Sequence, residues 1–221
     1  MKKIMFNDKY GLTQAVLAGR KTMTRRLIPE REIEDYQVRV DDFLSIGFGD
    51  IPVEVQSFED AMICRSKYSV GDVVAISQSY KDVNKGGYPV DSRYDAFRTA
   101  YSVGSVKESD KGWCNKMFVR ADIMPHQIRI TNVKVERLQD ISDEDCLKEG
   151  VFNVEDGGRI IGHPFGMPFH YTFFGAKNKD GKQLLWTTPR EAFEILIDKI
   201  SGIGTWEANP WVFAYSFELV K

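Results

Sequence analysis

The chain has 221 residues, 43% of them hydrophobic, with a formal net charge of −2. That length and hydrophobic content are enough for one domain with a substantial core. The slightly acidic charge excludes a general polyanion binder, so any affinity for nucleic acid must come from a local basic patch. No apolar run approaches the roughly 18 residues of a membrane helix, and the apolar stretch at the N-terminus is too short for a signal peptide.

The cysteines and histidines are scattered along the chain. Cys64, Cys114 and Cys146 have no CxxC spacing, and their odd number indicates thiols in a reducing cytosol, each a small buried side chain. The three histidines show no metal-ligand spacing. We therefore expect a cytoplasmic protein that uses no metal and no organic cofactor and has no membrane partner.

A short helix followed by a basic run is the first predicted feature. In "LTQAVLAGRK", Leu12, Val16 and Leu17 form an apolar side, and Gly19 stands where a left-handed residue would end the helix. The run "AGRKTMTRR", residues 18–26, places four cations directly after that end. It is either a solvated loop whose cations favour the helix C-terminus or the edge of an anion-binding or RNA-binding site.

Three long segments predict insertions into the domain, at about residues 28–66, 81–113 and 151–187. The first is strongly acidic, which indicates a peripheral and largely solvated segment. After it, "YSVGDVVAISQSY" predicts a turn at Gly71 and Asp72, followed by a buried strand from Val73 to Ile76.

The clearest strand lies in "HQIRITNVKVERLQDIS". Ile128 and Ile130 alternate with polar residues, and Val133 and Val135 then alternate in the opposite phase. The change of phase at Thr131–Asn132 predicts a bulge or sharp bend, as small barrels use at their corners.

Two helices and a strand complete the chain. Ser142 is a predicted N-cap and Gly150 a predicted C′ residue of a short acidic helix. In "TPREAFEILIDKISG", Thr188 and Glu191 form a capping box with Pro189 at the first helical position. The closing stretch "NPWVFAYSFELVK" alternates as a strand. Because no strand–helix–strand alternation is present, we predict an α+β fold built on a small mixed or antiparallel β-barrel with flanking helices.

Four stretches in this order resemble the ASCH domain of the PUA-like superfamily: "VLAGRKTMTRR", "VGDVV", "RITNVKVERLQDISDEDCLKEGV" and "NPWVFAYSFELV". The ensemble is most similar to the longer ASCH proteins of bacterial and phage genomes, and it leaves the three insertions unaccounted for. The resemblance implies one ASCH/PUA-like domain over residues 1–221. It also implies a cleft between barrel and helix that takes RNA or a modified nucleoside.

The segment "AGRKTMT" is also similar to small ASCH amidohydrolases that remove the acetyl group from N4-acetylcytidine. That resemblance implies that Lys21, Thr24 and Glu149 are catalytic. Lys21 would be a base with a lowered pKa and Thr24 a nucleophile. Glu149 would orient the lysine, relay a proton or bind the exocyclic nitrogen. For this chemistry we predict that the three side chains line one pocket, which requires the backbone to bend between Lys21 and Thr24.

The same cleft would bind a nucleoside or nucleic acid through polar and basic side chains: Arg20, Thr22, Arg25, Arg26 and Arg129. For Arg129 an exposed position on the rim explains the sequence equally well.

Three functions therefore stay open. The first is an RNA-binding or modified-nucleoside-binding protein with a basic cleft, and the second is an amidohydrolase acting on an acylated nucleoside. The third is a phage-derived interaction protein whose insertions bind a partner. A closed nucleoside-sized cavity favours hydrolysis, an open positive groove favours a polymer, and an exposed apolar patch on the insertions favours a partner protein.

Overall fold

A computed structural model describes residues 1–45, 57–85, 94–154 and 170–220 of the chain. The strands are β1 (Lys3–Ile4), β2 (Met23–Leu27), β3 (Val73–Ile76), β4 (Gln127–Arg137), β5 (Phe152–Asn153), β6 (Tyr171–Thr172) and β7 (Trp211–Val220). The α-helices are α1 (Leu12–Leu17), α2 (Glu30–Ser45), α3 (Phe58–Arg65), α4 (Tyr80–Asn84), α5 (Tyr94–Ser102), α6 (Asp143–Lys148), α7 (Pro189–Ser201) and α8 (Thr205–Ala208). The mixed α+β class is confirmed.

Five strands form one sheet in the order β1-β3-β4-β7-β2. The pairs β3–β4, β4–β7 and β7–β2 are antiparallel, and β1–β3 is parallel. The edge strands β1 and β2 do not pair with each other within the described ranges, so the sheet is open there and the predicted closed barrel is not found. β5 and β6 form a separate two-stranded sheet.

The long strand β4 carries the predicted bulge. Its register against β7 shifts between Ile130 and Asn132. Ile128 and Ile130 before the shift and Val133 and Val135 after it are all buried. The extra residue therefore keeps both apolar runs against the core, although they have opposite phases in the sequence.

The predicted helix ends are also confirmed. Gly19 adopts a φ of 71° just after α1. The Ser142 hydroxyl accepts a hydrogen bond from the Asp145 amide at 3.2 Å and caps α6. Thr188 and Glu191 form the capping box at the start of α7.

The first predicted insertion is less solvated than its acidic composition suggested. It contains α2 and α3, and Met62 on α3 is fully buried. The Phe58 ring lies 4.7 Å from the Trp211 ring of β7, measured between centroids. Ile33 and Tyr36 on α2 also pack against the core. Most acids in the described parts of the two helices, among them Glu30, Glu34 and Glu59, are exposed while apolar neighbours pack inward, which is why composition alone was misleading.

The described parts of the other two predicted insertions also contribute side chains to apolar clusters. The remaining parts, residues 86–93 and 155–169, lie outside the described residues. In the second, Val83 of α4, Ala100 of α5 and Val106 join a smaller apolar cluster. In the third, the Phe173 ring stacks on Trp186 with centroids 5.5 Å apart.

The cysteines divide into one buried and two exposed side chains. Cys146 is buried in α6, and this burial raises the pKa of its thiol to about 12. Cys64 and Cys114 are exposed, so the expectation that each cysteine is buried is wrong for these two. Cys114 lies in the irregular stretch after α5, and Cys64 lies on α3, whose buried side chain is that of Met62 instead.

Candidate functional site

Lys21 lies in the short connection between α1 and β2. The backbone amides of Arg20 and Lys21 both donate to the Ala15 carbonyl, at 2.9 and 3.0 Å, which turns the chain away from the helix axis. The next amide, that of Thr22, donates to the Lys148 carbonyl of α6 at 3.0 Å. These bonds direct the Lys21 side chain towards the C-terminal end of α6, where it is only 2% exposed.

The Lys21 ammonium binds Glu149 through two different atoms. Nζ lies 2.6 Å from the Oε2 atom of Glu149 and 2.7 Å from the backbone carbonyl oxygen of the same residue. Glu149 is the C-cap of α6. The unpaired carbonyls at a helix C-terminus carry partial negative charge, so both the helix end and the carboxylate stabilise the buried ammonium.

Gly150 makes this approach possible. Its φ of 111° is a conformation that residues with a side chain rarely adopt. A Cβ atom at this position would lie 2.9 Å from Cδ2 of Leu12 and 3.8 Å from Cδ of Lys21. A glycine after Glu149 therefore lets α6 end directly against α1 and Lys21.

Arg25 forms hydrogen bonds with three carboxylates of the site. Its Nη2 atom donates to Glu136 Oε1 at 2.6 Å and to Asp145 Oδ2 at 3.3 Å, and its Nη1 atom donates to Glu149 Oε1 at 3.2 Å. Each oxygen of the Glu149 carboxylate thus has its own cation, Oε1 with Arg25 and Oε2 with Lys21. Such a buried network fixes side-chain positions, because removing one member leaves an uncompensated charge.

The electrostatic environment of Lys21 contains opposing effects. Burial lowers the pKa of Lys21, and the nearby Arg25 and Arg26 guanidinium groups act in the same direction. The carboxylate of Glu149 raises it. Burial is the largest effect, so the pKa of Lys21 is lowered from the ordinary lysine value of 10.5.

Thr24 occupies β2 opposite Tyr215 of β7 and is buried. It lines the same cavity as Lys21 and Glu149, which confirms the predicted common pocket. Because Lys21 precedes the first strand residue, Met23, the alternation of side chains along a strand does not separate it from Thr24. The catalytic roles of the three residues stay a prediction.

The cavity has a volume of about 360 Å³, within the range of small-molecule sites. Its apolar lining residues are Met5, Phe6, Leu12, Phe193, Leu196, Ile197 and Ile200. Its polar lining includes Asn7, Asp8 and Lys116 besides the three predicted residues. Lys116 is paired with Asp8 at 2.8 Å. The mixed lining suits a small ligand with both apolar and polar surface.

Only some of the predicted binding residues line the cavity. Arg26 is half-buried and lines the cavity. Arg20 is exposed, Thr22 is half-buried, and neither of them lines the cavity. Arg129 is exposed, also lies outside the cavity lining, and pairs with Glu218 at 3.2 Å. Of the two positions that the sequence allowed for Arg129, the structure agrees with the exposed one.

Arg25 lines the cavity, but its charge is directed into the protein. Its guanidinium is compensated by Glu136, Asp145 and Glu149, and burial is outweighed by these carboxylates, which raise its pKa. The predicted contact with a polyanion therefore has no support from this geometry. Glu136 and Asp145 were missed at the sequence level, because Glu136 falls in the polar phase of β4 and Asp145 lies in the acidic first turn of α6, where each is typical of an exposed position.

No family model, curated protein or solved structure gives a significant match to the chain. Within the described ranges, no helix has both the length and the apolar character needed to span a bilayer. Among the same residues, no cluster of three or more His, Cys, Asp or Glu side chains could hold a metal ion.

Proposed function

We propose that the protein is an amidohydrolase that removes the acyl group from an acylated nucleoside such as N4-acetylcytidine. The observation that carries this proposal is that a buried lysine and a buried threonine, Lys21 and Thr24, line one cavity of nucleoside size. Burial lowers the pKa of Lys21, as a general base requires, and a hydroxyl in the same cavity can serve as the nucleophile.

In the proposed reaction the neutral Lys21 amine takes the proton of the Thr24 hydroxyl, and Oγ1 attacks the acyl carbonyl carbon. The bond from this carbon to the exocyclic nitrogen breaks, and the nitrogen leaves with the proton that Lys21 carried. Water then hydrolyses the acyl-threonine ester, which releases the carboxylic acid and restores the hydroxyl.

Glu149 and Arg25 act as positioning residues in this proposal. The two hydrogen bonds from Lys21 to Glu149 fix the direction of the amine. The contact from Arg25 to Oε1 fixes the carboxylate in turn. Of the three roles open for Glu149, orientation of the lysine has the most support, because Oε1 and Oε2 each already accept a hydrogen bond from a cation.

We also propose that the fold is a PUA-like ASCH domain. Its support is the order of elements: helix α1, the basic run, the long bulged strand β4, the short acidic helix α6 and the terminal strand β7. The open sheet is a departure from the barrel that the resemblance implies.

Binding of an RNA polymer stays an alternative prediction. Lys21 and Arg25, two of the four cations in the basic run, are buried and paired with carboxylates. This leaves Arg20 and Arg26 from that run for a polyanion and favours a discrete ligand over a long strand.

The test is incubation of the purified protein with N4-acetylcytidine, following cytidine by chromatography. We expect turnover by the wild type and at least a roughly hundredfold loss of kcat in Lys21→Met and Thr24→Val, since a positioned base contributes on that order. Lys134→Met is the matched control, because Lys134 is an exposed lysine on β4 outside the cavity.

Mass spectrometry of peptides from early time points should find the acyl group on Thr24. Folding of each variant is checked by circular dichroism and thermal melting. The proposal fails if the wild type deacylates no member of an N4-acylcytidine panel, or if folded Lys21→Met keeps wild-type turnover.

A further inference from the structure

A second cavity, of about 400 Å³, adjoins the first. Met5 and Arg26 line both cavities, so the two cavities meet at these residues. Its other lining residues come from β1, β2, α2, α3, β7, the loop after α3 and the positions Pro29 and Met117. Apart from Arg26, whose charge lowers the pKa of Lys21, none of these lining residues has a role in the proposed chemistry.

The charged residues that line this second cavity are mostly cationic. Four cations face it, Lys3, Arg26, Arg65 and Lys67, against the single carboxylate of Glu32. Glu32 is itself only loosely paired, with 4.0 Å between its Oε2 atom and Arg65. In a chain whose net charge is −2, this is a concentrated positive site.

The hydrogen bonds of these cations do not neutralise them. Lys3 donates to the backbone carbonyls of Met117 and Val119, at 2.6 and 2.8 Å. Lys67 lies over the Tyr68 ring at 5.3 Å. Carbonyls and rings position a cation but carry no net charge, so the positive charge remains available to a ligand.

Arg26 differs sharply from its neighbour Arg25. Within the described residues Arg25 has three carboxylate partners, and Arg26 has none. Arg26 donates instead to the Met5 carbonyl and lies 6.0 Å from the Phe6 ring. A half-buried guanidinium without an anion is costly unless a ligand supplies one.

We propose that the second cavity binds a phosphate group of the ligand whose base occupies the first cavity. The substrate class is then an acylated nucleotide rather than a free nucleoside. Arg26 stands at the junction and contacts the phosphate, and Lys67 and Arg65 supply further charge, in the manner of charge-assisted phosphate sites. This inference rests on the proposed function for the identity of the base.

The test is isothermal titration calorimetry with cytidine, cytidine 5′-monophosphate, cytidine 3′-monophosphate and a short single-stranded oligocytidine. We expect one of the monophosphates to bind about tenfold more tightly than cytidine, the gain of one charge-assisted contact. Raising the salt from about 50 to 200 mM should weaken that nucleotide and leave cytidine unchanged. Arg26→Gln should lose most of the gain, Lys67→Gln should lose part of it, and Lys134→Gln should keep it.

The outcomes separate this inference from the proposed function, because binding is measured without turnover. Equal affinities for cytidine and both monophosphates overturn the phosphate site, whether or not the protein hydrolyses N4-acetylcytidine. A gain in affinity that both Arg26→Gln and Lys67→Gln preserve also overturns it, since the phosphate then lies elsewhere. A gain seen only with the oligocytidine identifies a polymer site and overturns the mononucleotide assignment.

Discussion

The Nζ atom of Lys21 lies 2.6 Å from Oε2 of Glu149, although the two residues are 128 positions apart in the chain. The contact joins the turn after α1 to the last turn of α6, and both partners are buried. Burial lowers the pKa of Lys21 and the carboxylate raises it. The balance between these two effects determines whether the amine can act as a base near neutral pH.

The first prediction concerns the pH dependence of turnover. Because the base must be neutral, kcat should rise with pH through the pKa of Lys21, at a pH below the ordinary lysine value of 10.5. Glu149→Gln removes the carboxylate that raises this pKa, so the rising limb should move to lower pH. Arg26→Gln removes a cation that lowers it, so the limb should move to higher pH. Shifts in the same direction in both variants would contradict the assignment of the limb to Lys21.

The second prediction concerns stability. Between the lowered folded pKa of Lys21 and the unfolded value of 10.5, the unfolded chain binds more protons than the folded protein. The free energy of unfolding of the wild type, relative to Lys21→Met, should therefore rise with pH in that window, by at most about 1.4 kcal/mol per pH unit. Urea denaturation of both proteins at several alkaline pH values measures this difference. A relative stability that falls as the pH rises would show that the folded pKa is not lowered.

The third prediction concerns Arg25. Arg25→Leu leaves the carboxylates of Glu136, Asp145 and Glu149 close together with one cation fewer. We expect the free energy of unfolding to fall by about 3 kcal/mol, the usual cost of breaking a buried ion pair. The matched control is Arg20→Leu, in the same basic run but exposed, which should change it by less than about 0.5 kcal/mol. If urea denaturation shows similar losses of unfolding free energy for the two variants, Arg25 does not stabilise the protein through these carboxylates.

The fourth prediction concerns the turn after α6. Gly150→Ala introduces a side chain at a φ of 111° and places its Cβ 2.9 Å from Leu12. Gly181→Ala has a φ of 79° but meets no atom within 4 Å, so it isolates the backbone cost alone. We expect thermal unfolding to report a loss of about 1 kcal/mol for Gly181→Ala and clearly more for Gly150→Ala. If the two losses are equal, Gly150 is required only for its backbone conformation and not for close packing.

Much of the local structure was predictable from the sequence because its causes are local. The phase change in "RITNVKV" predicted the bulge in β4, and the spacing of Thr188, Pro189 and Glu191 predicted the start of α7. Capping, glycine turns and alternation depend on residues within one turn or one pleat of each other. The acidic composition of residues 30–60 was a poorer guide, since composition carries no information on which side of a helix faces the core.

The sequence by itself determined that a cluster of cations follows a helix end, and its resemblance to the ASCH family selected Lys21, Thr24 and Glu149 as one group. Only the tertiary structure decided how each charge is used. Lys21 and Arg25 face carboxylates brought from β4 and α6, whereas Arg26 faces two cavities and has no carboxylate among the described residues. The physical reason is that the strength of an ion pair depends on distance and burial, and for partners more than 100 positions apart both are set by the packing of the whole chain.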